Sequence, residues 1–188
     1  MKKILTTAML LATSTIFANE VGLNIGSTNM DYDKSNSNVI LGSNPDKDFR
    51  NYEIFTTLEG QLPKGLKTYI SYTQNRSDTI ENQFVLFGAN KEYGEGKGKL
   101  YAGLVAGFGE LKWKIDPVTS TTSDKTANSF IAGVQVGGKY DLSDRLFVNL
   151  NGKYLRHNYG TDINTQTSQT QIEHKATSSI ALGVGYKF

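Results

Sequence analysis

Alternation of apolar and polar residues with a period of two is the feature of this sequence that most restricts its fold. Between Phe130 and Tyr140, for example, every even position is apolar or small, while Gln135 and Lys139 occupy odd positions. Successive side chains of a β-strand point to opposite faces, so this pattern predicts strands with one apolar face. No segment longer than a turn has helical periodicity, and the sequence therefore predicts an all-β fold.

Eight alternating segments are predicted, and the connections between them are alternately long and short. Long polar connections are predicted at 29–48, 74–82, 116–126 and 158–174, and tight turns at 61–65, 94–98 and 141–145. This rhythm is typical of bacterial outer-membrane barrels, which have short periplasmic turns and longer outer loops. We therefore predict an eight-stranded antiparallel up-and-down transmembrane β-barrel; the alternative is a soluble β-protein that buries its apolar face.

Aromatic residues support the membrane prediction because they occur near both ends of the predicted apolar faces. Phe130 and Tyr140 lie ten residues apart, which at a tilt near 40–45° spans about 24 Å, close to the ~25 Å apolar band of such barrels. The predicted upper belt contains Tyr52, Tyr72, Trp113, Phe130 and Tyr154, and the predicted lower belt contains Tyr93, Tyr101, Tyr140, Tyr186 and Phe188.

Two segments do not define their orientation clearly. The strand at 84–93 is apolar on both faces, so its register stays open. In the segment 100–115, the charged residues of 110–114 all occupy even positions, which places Trp113 on the opposite, apolar face. Extrapolation puts Tyr101 on that same lipid-facing side, unless a β-bulge switches the faces.

The first 18 residues have the pattern of a secretory signal peptide. Lys2 and Lys3 precede an apolar run at 4–11, and the predicted cleavage site lies between Ala18 and Asn19. A membrane anchor is the alternative, but the run is shorter than the ~20 residues that a helical span needs.

The predicted domain organisation is therefore a signal peptide at 1–18 and a barrel domain at 19–188. The whole chain has 20 Lys and Arg against 18 Asp and Glu; because two of those lysines belong to the signal peptide, the barrel domain has a formal net charge of zero. This balance gives no support to nucleic-acid binding. The chain has no cysteine, which excludes disulfides and cysteine-ligated metals.

These features resemble the small outer-membrane barrels of Gram-negative bacteria, the OmpA/OmpX-like superfamily often labelled outer membrane protein β-barrel or porin family. Within the terminal segment 183–188, Tyr186 and Phe188 match the C-terminal aromatic signal that the barrel-assembly machinery reads in that family. The resemblance implies an outer-membrane location with both termini in the periplasm. It also implies outer-membrane lipids and lipopolysaccharide as surroundings, periplasmic chaperones and the assembly machinery as partners during biogenesis, and a monomeric barrel.

The predicted function is a structural and surface-display role without catalysis, because side chains fill the interior of an eight-stranded barrel. A narrow porin-like channel is the first alternative. The residues predicted to face the lumen are polar and of mixed charge: Asn24, Glu53, Glu59, Lys67, Gln135, Lys139, Asn149, Asn151 and Lys153. No cofactor and no metal are predicted.

Two histidines are the candidates for catalysis, and a lipid A-modifying enzyme is the second alternative. His157 and His174 are predicted at the two ends of the last long loop. Lipid A deacylases pair a catalytic histidine with a serine two residues later, but Tyr159 occupies that position here, so only Ser168 or Ser178 could approach. We therefore expect two exposed histidines at the base of the loop.

Two short motifs resemble ligand-binding loops only superficially. Gly94–Lys99 is similar to a phosphate-binding loop but lacks the strand–loop–helix context, so it predicts a tight turn. The segment that begins at Asp31 is similar to a calcium loop, but Asn36 and Gly42 replace its required glycine and its terminal glutamate.

Basic residues are also predicted at the upper rim of the barrel. Arginine and lysine are the side chains that bind phosphate groups. We therefore expect contacts between lipopolysaccharide phosphates and five residues, Arg50, Arg76, Lys112, Lys114 and Arg156.

Overall fold

The structure is a computed structural model. It describes residues 19–34, 47–59, 62–63, 65–114, 122–123, 126–164 and 169–188. The predicted signal peptide at 1–18 lies outside these residues, so its cleavage site stays a prediction.

Within the described residues, nine strands form one antiparallel sheet that closes on itself. The strands are β1 (Glu20–Lys34), β2 (Asp48–Leu58), β3 (Leu66–Arg76), β4 (Ile80–Tyr93), β5 (Gly98–Trp113), β6 (Thr122–Ser123), β7 (Thr126–Asp141), β8 (Leu146–Asn164) and β9 (Gln169–Lys187). Each long strand pairs with its neighbours in sequence, and pairing of β1 with β9 closes the cylinder. The two-residue β6 pairs with the upper end of β8, at Ile163 and Asn164. The predicted eight-stranded up-and-down barrel is confirmed.

A continuous apolar band covers the outer wall of the barrel. Soluble β-proteins bury such side chains, so this band marks the part of the wall that faces lipid. The large apolar side chains exposed there include Leu23, Ile25, Tyr52, Phe87, Leu100, Leu104, Phe108, Phe130, Val134, Tyr140, Leu150, Tyr154, Leu182 and Val184. No helix in the described ranges is long and apolar enough to span a membrane.

The structure decides the register of β4, which the sequence left open. Phe84 and Leu86 are buried inside the barrel, whereas Phe87 is 51% exposed on the outer wall. Phe84 and Leu86 face the inward glycines of β5, with Phe84 opposite Gly109 and Leu86 opposite Gly107. Large inward residues on β4 therefore occupy the space that the small residues of β5 leave.

The predicted orientation of β5 is wrong. Trp113 is buried inside the barrel, Tyr101 also points inward to accept a hydrogen bond from Asn151, and Lys112 is exposed on the outer side. The ladders of β5 show no bulge, so the whole strand has the opposite orientation. Above the apolar band the environments reverse, because the outer wall meets water and the interior is apolar. The charges at the top of β5 therefore mark the outside of the barrel.

This orientation of Trp113, the only tryptophan of the chain, predicts a fluorescence result. In vesicles made with brominated phospholipids, we expect little quenching of Trp113 emission, because the indole is 1% exposed and lies inside the barrel. The control is the double variant Trp113→Phe, Phe130→Trp, which moves the tryptophan to the lipid-facing band and should be quenched several-fold more. Strong quenching of the wild-type emission would instead indicate that Trp113 faces lipid in the upper aromatic belt, as the sequence predicted.

The predicted loop at 158–174 is mostly strand, and the predicted loop at 29–48 begins and ends in strand, with residues 35–46 outside the described residues. β1 continues to Lys34 and β2 begins at Asp48, while β8 and β9 extend to Asn164 and from Gln169. In these polar segments alternate residues still face the interior of the barrel, as they do in the regular strands below. The upper parts of β8 and β9, residues 157–164 and 169–175, form a hairpin above the apolar band, hereafter the β8–β9 extension.

The other two predicted long connections also differ from a simple loop. The connection at 74–82 is a tight turn, since β3 ends at Arg76 and β4 begins at Ile80. Ser77 supports this turn, because its hydroxyl accepts a hydrogen bond from the Ile80 amide at 3.0 Å. Of the connection at 116–126, the structure describes only 122–123 and the first residue of β7.

A β-bulge marks the start of the β8–β9 extension. The pair Asp31–Ala176 is followed by Tyr32–His174, so Lys175 is an extra residue in β9. Below this point the odd-numbered residues of β9, such as Thr177, face inward. The extra residue shifts the pattern and turns His174, rather than Lys175, towards the interior.

Candidate functional site

Ion pairs fill the lower part of the lumen, near both chain termini of the barrel. Lys139 Nζ lies 2.5 Å from Glu20 Oε1 and 2.8 Å from Glu92 Oε1. Lys67 Nζ lies 2.7 Å from Glu59 and 3.1 Å from Glu92. Strands β1, β3, β4 and β7 supply four of these residues, so the network ties opposite walls together and compensates each buried charge.

A second ionic layer crosses the middle of the barrel. Lys153 of β8 forms a salt bridge with Glu53 of β2, and both side chains are almost completely buried. The carboxylate also accepts hydrogen bonds from the Tyr69 hydroxyl at 2.6 Å and the Asn24 amide at 2.8 Å. These bonds fully surround Glu53, so the pair forms a cross-brace through the lumen.

Very little space remains between these two layers. The cavity there, lined by Phe55, Tyr69, Tyr101 and Phe147 as well as by the charged groups, has a volume of about 20 Å³. That volume accommodates about one water molecule. Side chains therefore fill this part of the lumen, as predicted.

The upper end of the lumen is closed differently, by an apolar cluster that we call the upper plug. Trp113 and Tyr159 are its largest members, and each is at most 1% exposed. Its smaller members are Met30, Ile80, Leu111, Leu155 and Ile172. The upper plug underlies the β8–β9 extension, so a solute that enters from that end meets a packed hydrophobic core.

Both histidines lie in or beside the upper plug, and the prediction that they are exposed is wrong. His157 Nδ1 lies 2.9 Å from the backbone oxygen of His174, and its Nε2 lies 2.6 Å from the Thr177 hydroxyl. Because a carbonyl oxygen only accepts, Nδ1 donates this bond and Nε2 accepts from Thr177. His174 packs between Tyr32 and Trp113, with ring centroids 5.9 Å and 6.1 Å away.

This environment keeps both histidines neutral. They lie above the apolar band, where their outward neighbours Arg156, Asn158 and Lys175 are exposed. Burial lowers the pKa of His157 to about 4, although its hydrogen bond to the His174 carbonyl opposes this shift. Burial, aided by His157, lowers the pKa of His174 to about 4 as well.

The structure does not bring a nucleophile to the histidines within the residues it describes. Ser178 is exposed on the outer wall, and Ser168 lies outside the described residues. The hydroxyl that bonds to His157 belongs to Thr177, and Thr177 is itself buried. The hydroxyl that contacts His157 is therefore enclosed in the interior of the barrel.

The five predicted basic residues are all exposed on the outer side, but only three come together. Arg50 and Arg76 are directly opposed on β2 and β3, and Lys114 Nζ donates a hydrogen bond to the Ser77 carbonyl at 2.5 Å. These three line one open groove of about 610 Å³ above the apolar band. The remaining two lie on other strands: Lys112 faces β4 and β7, and Arg156 lies on β8.

The other motifs behave as ordinary surface features. Gly94 and Gly96 have positive φ angles of 108° and 73°, which a tight turn requires and which glycine adopts without strain. In the calcium-like segment, Asp33 pairs with Lys175 at 2.8 Å. Residues 35–42 lie outside the described residues, and among the described ones no cluster of three metal-ligating residues occurs.

The two residues of the predicted C-terminal signal, Tyr186 and Phe188, lie at the lower edge of the barrel. Tyr186 accepts a hydrogen bond from Arg145 at 3.0 Å, and its ring lies 5.2 Å from that of Phe188. Phe188 is 72% exposed. Both rings therefore lie at the level of the predicted lower belt. Tyr101, which was predicted for the same belt, points into the lumen instead.

Sequence comparison alone finds no counterpart: no protein-family profile and no curated protein matches the chain. Solved structures do match. Neisserial surface protein A is 14% identical, with a TM-score of 0.61 over 89% of this chain and 97% of that one. OprG from Pseudomonas aeruginosa is 14% identical, with a TM-score of 0.57 over 91% and 96% of the two chains. OprH from the same organism is 25% identical, with a TM-score of 0.51 over 91% and 99%.

These likenesses, all to small Gram-negative barrels, show the fold of the chain along nearly its whole length. The outward apolar band is the second observation, because an exposed band of this kind is stable only in lipid. The chain is an integral outer-membrane β-barrel.

Proposed function

We propose that this barrel is a sealed, non-enzymatic protein of the outer membrane whose role is structural and whose β8–β9 extension is displayed at the cell surface. The observation that carries the proposal is the closure of the lumen at three levels: the lower ion pairs, the Glu53–Lys153 brace and the upper plug. A channel needs a continuous file of water, and the lower cavity has room for about one molecule.

The display role is supported by the way the β8–β9 extension is built. Its inward residues Tyr159, Ile172 and His174 are buried in the upper plug, so the hairpin has a rigid base. Its outward residues Asn158 and Lys175, by contrast, are polar and exposed, and Lys175 forms a surface ion pair with Asp33. A rigid polar hairpin that projects beyond the apolar band is suited to contact another surface.

Biogenesis belongs to the same proposal. Periplasmic chaperones would carry the chain as a monomer to the barrel-assembly machinery, which would read Tyr186 and Phe188. The exposure of Phe188 at the lower edge supports this role.

Planar-bilayer recording tests the sealed state. For the refolded wild type we expect no discrete conductance steps, because side chains close the described part of the lumen at three levels. The double variant Glu53→Ala, Lys153→Ala removes only the central brace, so the lower ion pairs and the upper plug should keep it closed as well. Flotation of both proteins with lipid vesicles confirms that they insert into a bilayer. A heat-dependent shift in gel mobility confirms that both proteins are folded. Discrete steps of constant size in the wild type would contradict the sealed state and favour the narrow channel.

A further inference from the structure

Within the described residues, the barrel wall has one seam, between the upper parts of β7 and β8. The ladder that joins these strands ends at the pair Ala132–Arg156, although both strands continue well above it. No other pair of neighbours among the described strands continues on both sides beyond its last shared partners. Residues 127–131 and 157–162 therefore face each other without a backbone ladder, and we call this part of the wall the β7–β8 seam.

Two contacts hold the β7–β8 seam closed. The Asn158 amide donates a hydrogen bond to the Ser129 hydroxyl at 2.8 Å, and β6 pairs with Ile163 and Asn164 at the upper end of the seam. A regular antiparallel ladder of the same length would add several backbone hydrogen bonds. The seam therefore opens more easily than the other junctions of the described strands, and β7 stays attached to β5 when it does.

Behind the seam lies a polar group that the fold leaves without a partner. Tyr159 is completely buried, and its hydroxyl has no hydrogen-bond partner among the described residues. The hydroxyl rests against Gly109 of β5, where a Cβ would collide with it, and Ile131 and Phe84 lie beside the same glycine. A buried hydroxyl without a hydrogen bond costs stability. This position therefore favours a ligand that supplies the missing bond.

The outer side of the wall offers an approach to this hydroxyl. Gly109 also lines an open groove of about 530 Å³ on the outer wall, together with Phe108, Phe130 and Ser129. The rings of Phe108 and Phe130 pack edge to face, with centroids 5.4 Å apart. A molecule that collects at the membrane interface therefore meets aromatic side chains beside the seam, and the Tyr159 hydroxyl lies directly behind the floor of the groove.

The interior behind the seam restricts the chemistry of such a molecule. The buried side chains at this level include Ala127, Ile131, Leu155 and Trp113, all of them uncharged. An ion would lose its hydration there without a counter-charge. A matching ligand is therefore uncharged, has an apolar body small enough to pass between two strands, and has one group that hydrogen-bonds to Tyr159.

We propose that the β7–β8 seam is a lateral entrance to a binding site in the upper plug for small uncharged phenols, whose hydroxyl group bonds to that of Tyr159. The aromatic body of the ligand lies beside Gly109 and Ile131, where the surroundings are apolar. This site goes beyond the structural role proposed above and is compatible with it, because the Glu53–Lys153 brace still closes the lumen below the ligand.

Titration with phenol tests the site, and toluene is the matched ligand without a hydroxyl group. The readout is the proton resonance of the indole N–H of Trp113, the only tryptophan, in protein refolded in detergent micelles. This N–H donates a hydrogen bond at 3.3 Å to Thr161, the next inward residue after Tyr159 on β8. After correction for partitioning into micelles, we expect a saturable shift with phenol and roughly tenfold weaker binding of toluene.

Two tyrosine variants locate the hydrogen bond. Tyr159→Phe keeps the ring in the upper plug and should abolish the preference for phenol over toluene. Tyr72→Phe is the matched control, because Tyr72 lines the outer groove and its hydroxyl bonds to Gln83 at 2.8 Å; here the preference should survive. Equal binding of phenol and toluene to the wild type, or a preference that survives in Tyr159→Phe, would overturn the proposal. A preference lost only in Tyr72→Phe would also overturn it and place the ligand in the outer groove.

The lateral route is tested by locking the seam. The chain has no cysteine, so the double variant Ser129→Cys, Asn158→Cys carries thiols only on the two sides of the seam. A short bis(methanethiosulfonate) reagent links them, and a reducing agent reverses the link. We expect the phenol-induced shift to be lost in the linked protein and to return after reduction. An undiminished shift in the linked protein would show that phenol enters elsewhere and would overturn the lateral entrance.

Discussion

Replacing Lys153 by methionine should lower the free energy of unfolding by about 3–5 kcal/mol, because it leaves the Glu53 carboxylate buried without its cation. Methionine matches the length of the lysine stem, so the loss is mainly electrostatic. Urea unfolding of the refolded barrel in lipid vesicles measures the change. Tyr69 and Asn24 still donate hydrogen bonds to the carboxylate in the variant, but neither supplies a positive charge.

Two further variants make this result specific. The double variant Glu53→Gln, Lys153→Met removes both charges and should recover most of the lost stability, since an amide is far cheaper to bury than a carboxylate. Lys175→Met breaks the exposed pair with Asp33 and should not change stability measurably. If the double variant is no more stable than Lys153→Met, packing rather than charge compensation holds the centre of the lumen.

Acidification should open the upper plug while the membrane-spanning wall stays folded. Burial lowers the pKa of both His157 and His174 from 6.5 to about 4, so the folded plug favours their neutral forms. Their contribution to stability is therefore complete above pH 6.5 and decreases as the pH falls towards 4. The expected loss is on the order of 2–3 kcal/mol for each histidine near pH 4.

Trp113 reports this transition directly, because its ring lies 6.1 Å from that of His174. Between pH 8 and pH 4 we expect its emission to shift to longer wavelength and acrylamide quenching to increase. His174→Phe keeps an aromatic ring in the plug and His157→Gln keeps a polar partner for Thr177, so the double variant should move the transition to lower pH. An unchanged midpoint in that variant would show that other groups cause the transition.

The histidines illustrate what the sequence could not predict. Their positions near the ends of a polar segment are typical of exposed loop residues, yet His174 is fully buried. Its inward orientation depends on the bulge at Lys175, which changes which residues of β9 face the interior. A bulge of one residue shifts the phase of the alternation, but Ala176, Thr177 and Ser178 are small residues compatible with either face, so the sequence does not show where the shift occurs.

The groove lined by Arg50, Arg76 and Lys114 shows the same limit of prediction from sequence. Position along each strand was enough to predict that five basic residues lie at the rim. It did not predict that Arg50 and Arg76 are paired across β2 and β3 while Arg156 lies on β8. That grouping follows from strand register and from the closure of the sheet, which bring residues distant in sequence to the same height.

The sequence by itself determined the eight-stranded barrel, its apolar outer band and most of its polar lumen, because a period of two shows that neighbouring residues face different environments. Above that band, only the tertiary structure decided which environment is on which side. Within the band the outside is apolar and the inside polar, as Leu104 and Glu53 show; above it the order reverses, as Lys112 and Trp113 show. The same alternation is compatible with both arrangements, and the level of each residue relative to the membrane, set by closure of the sheet, selects one of them.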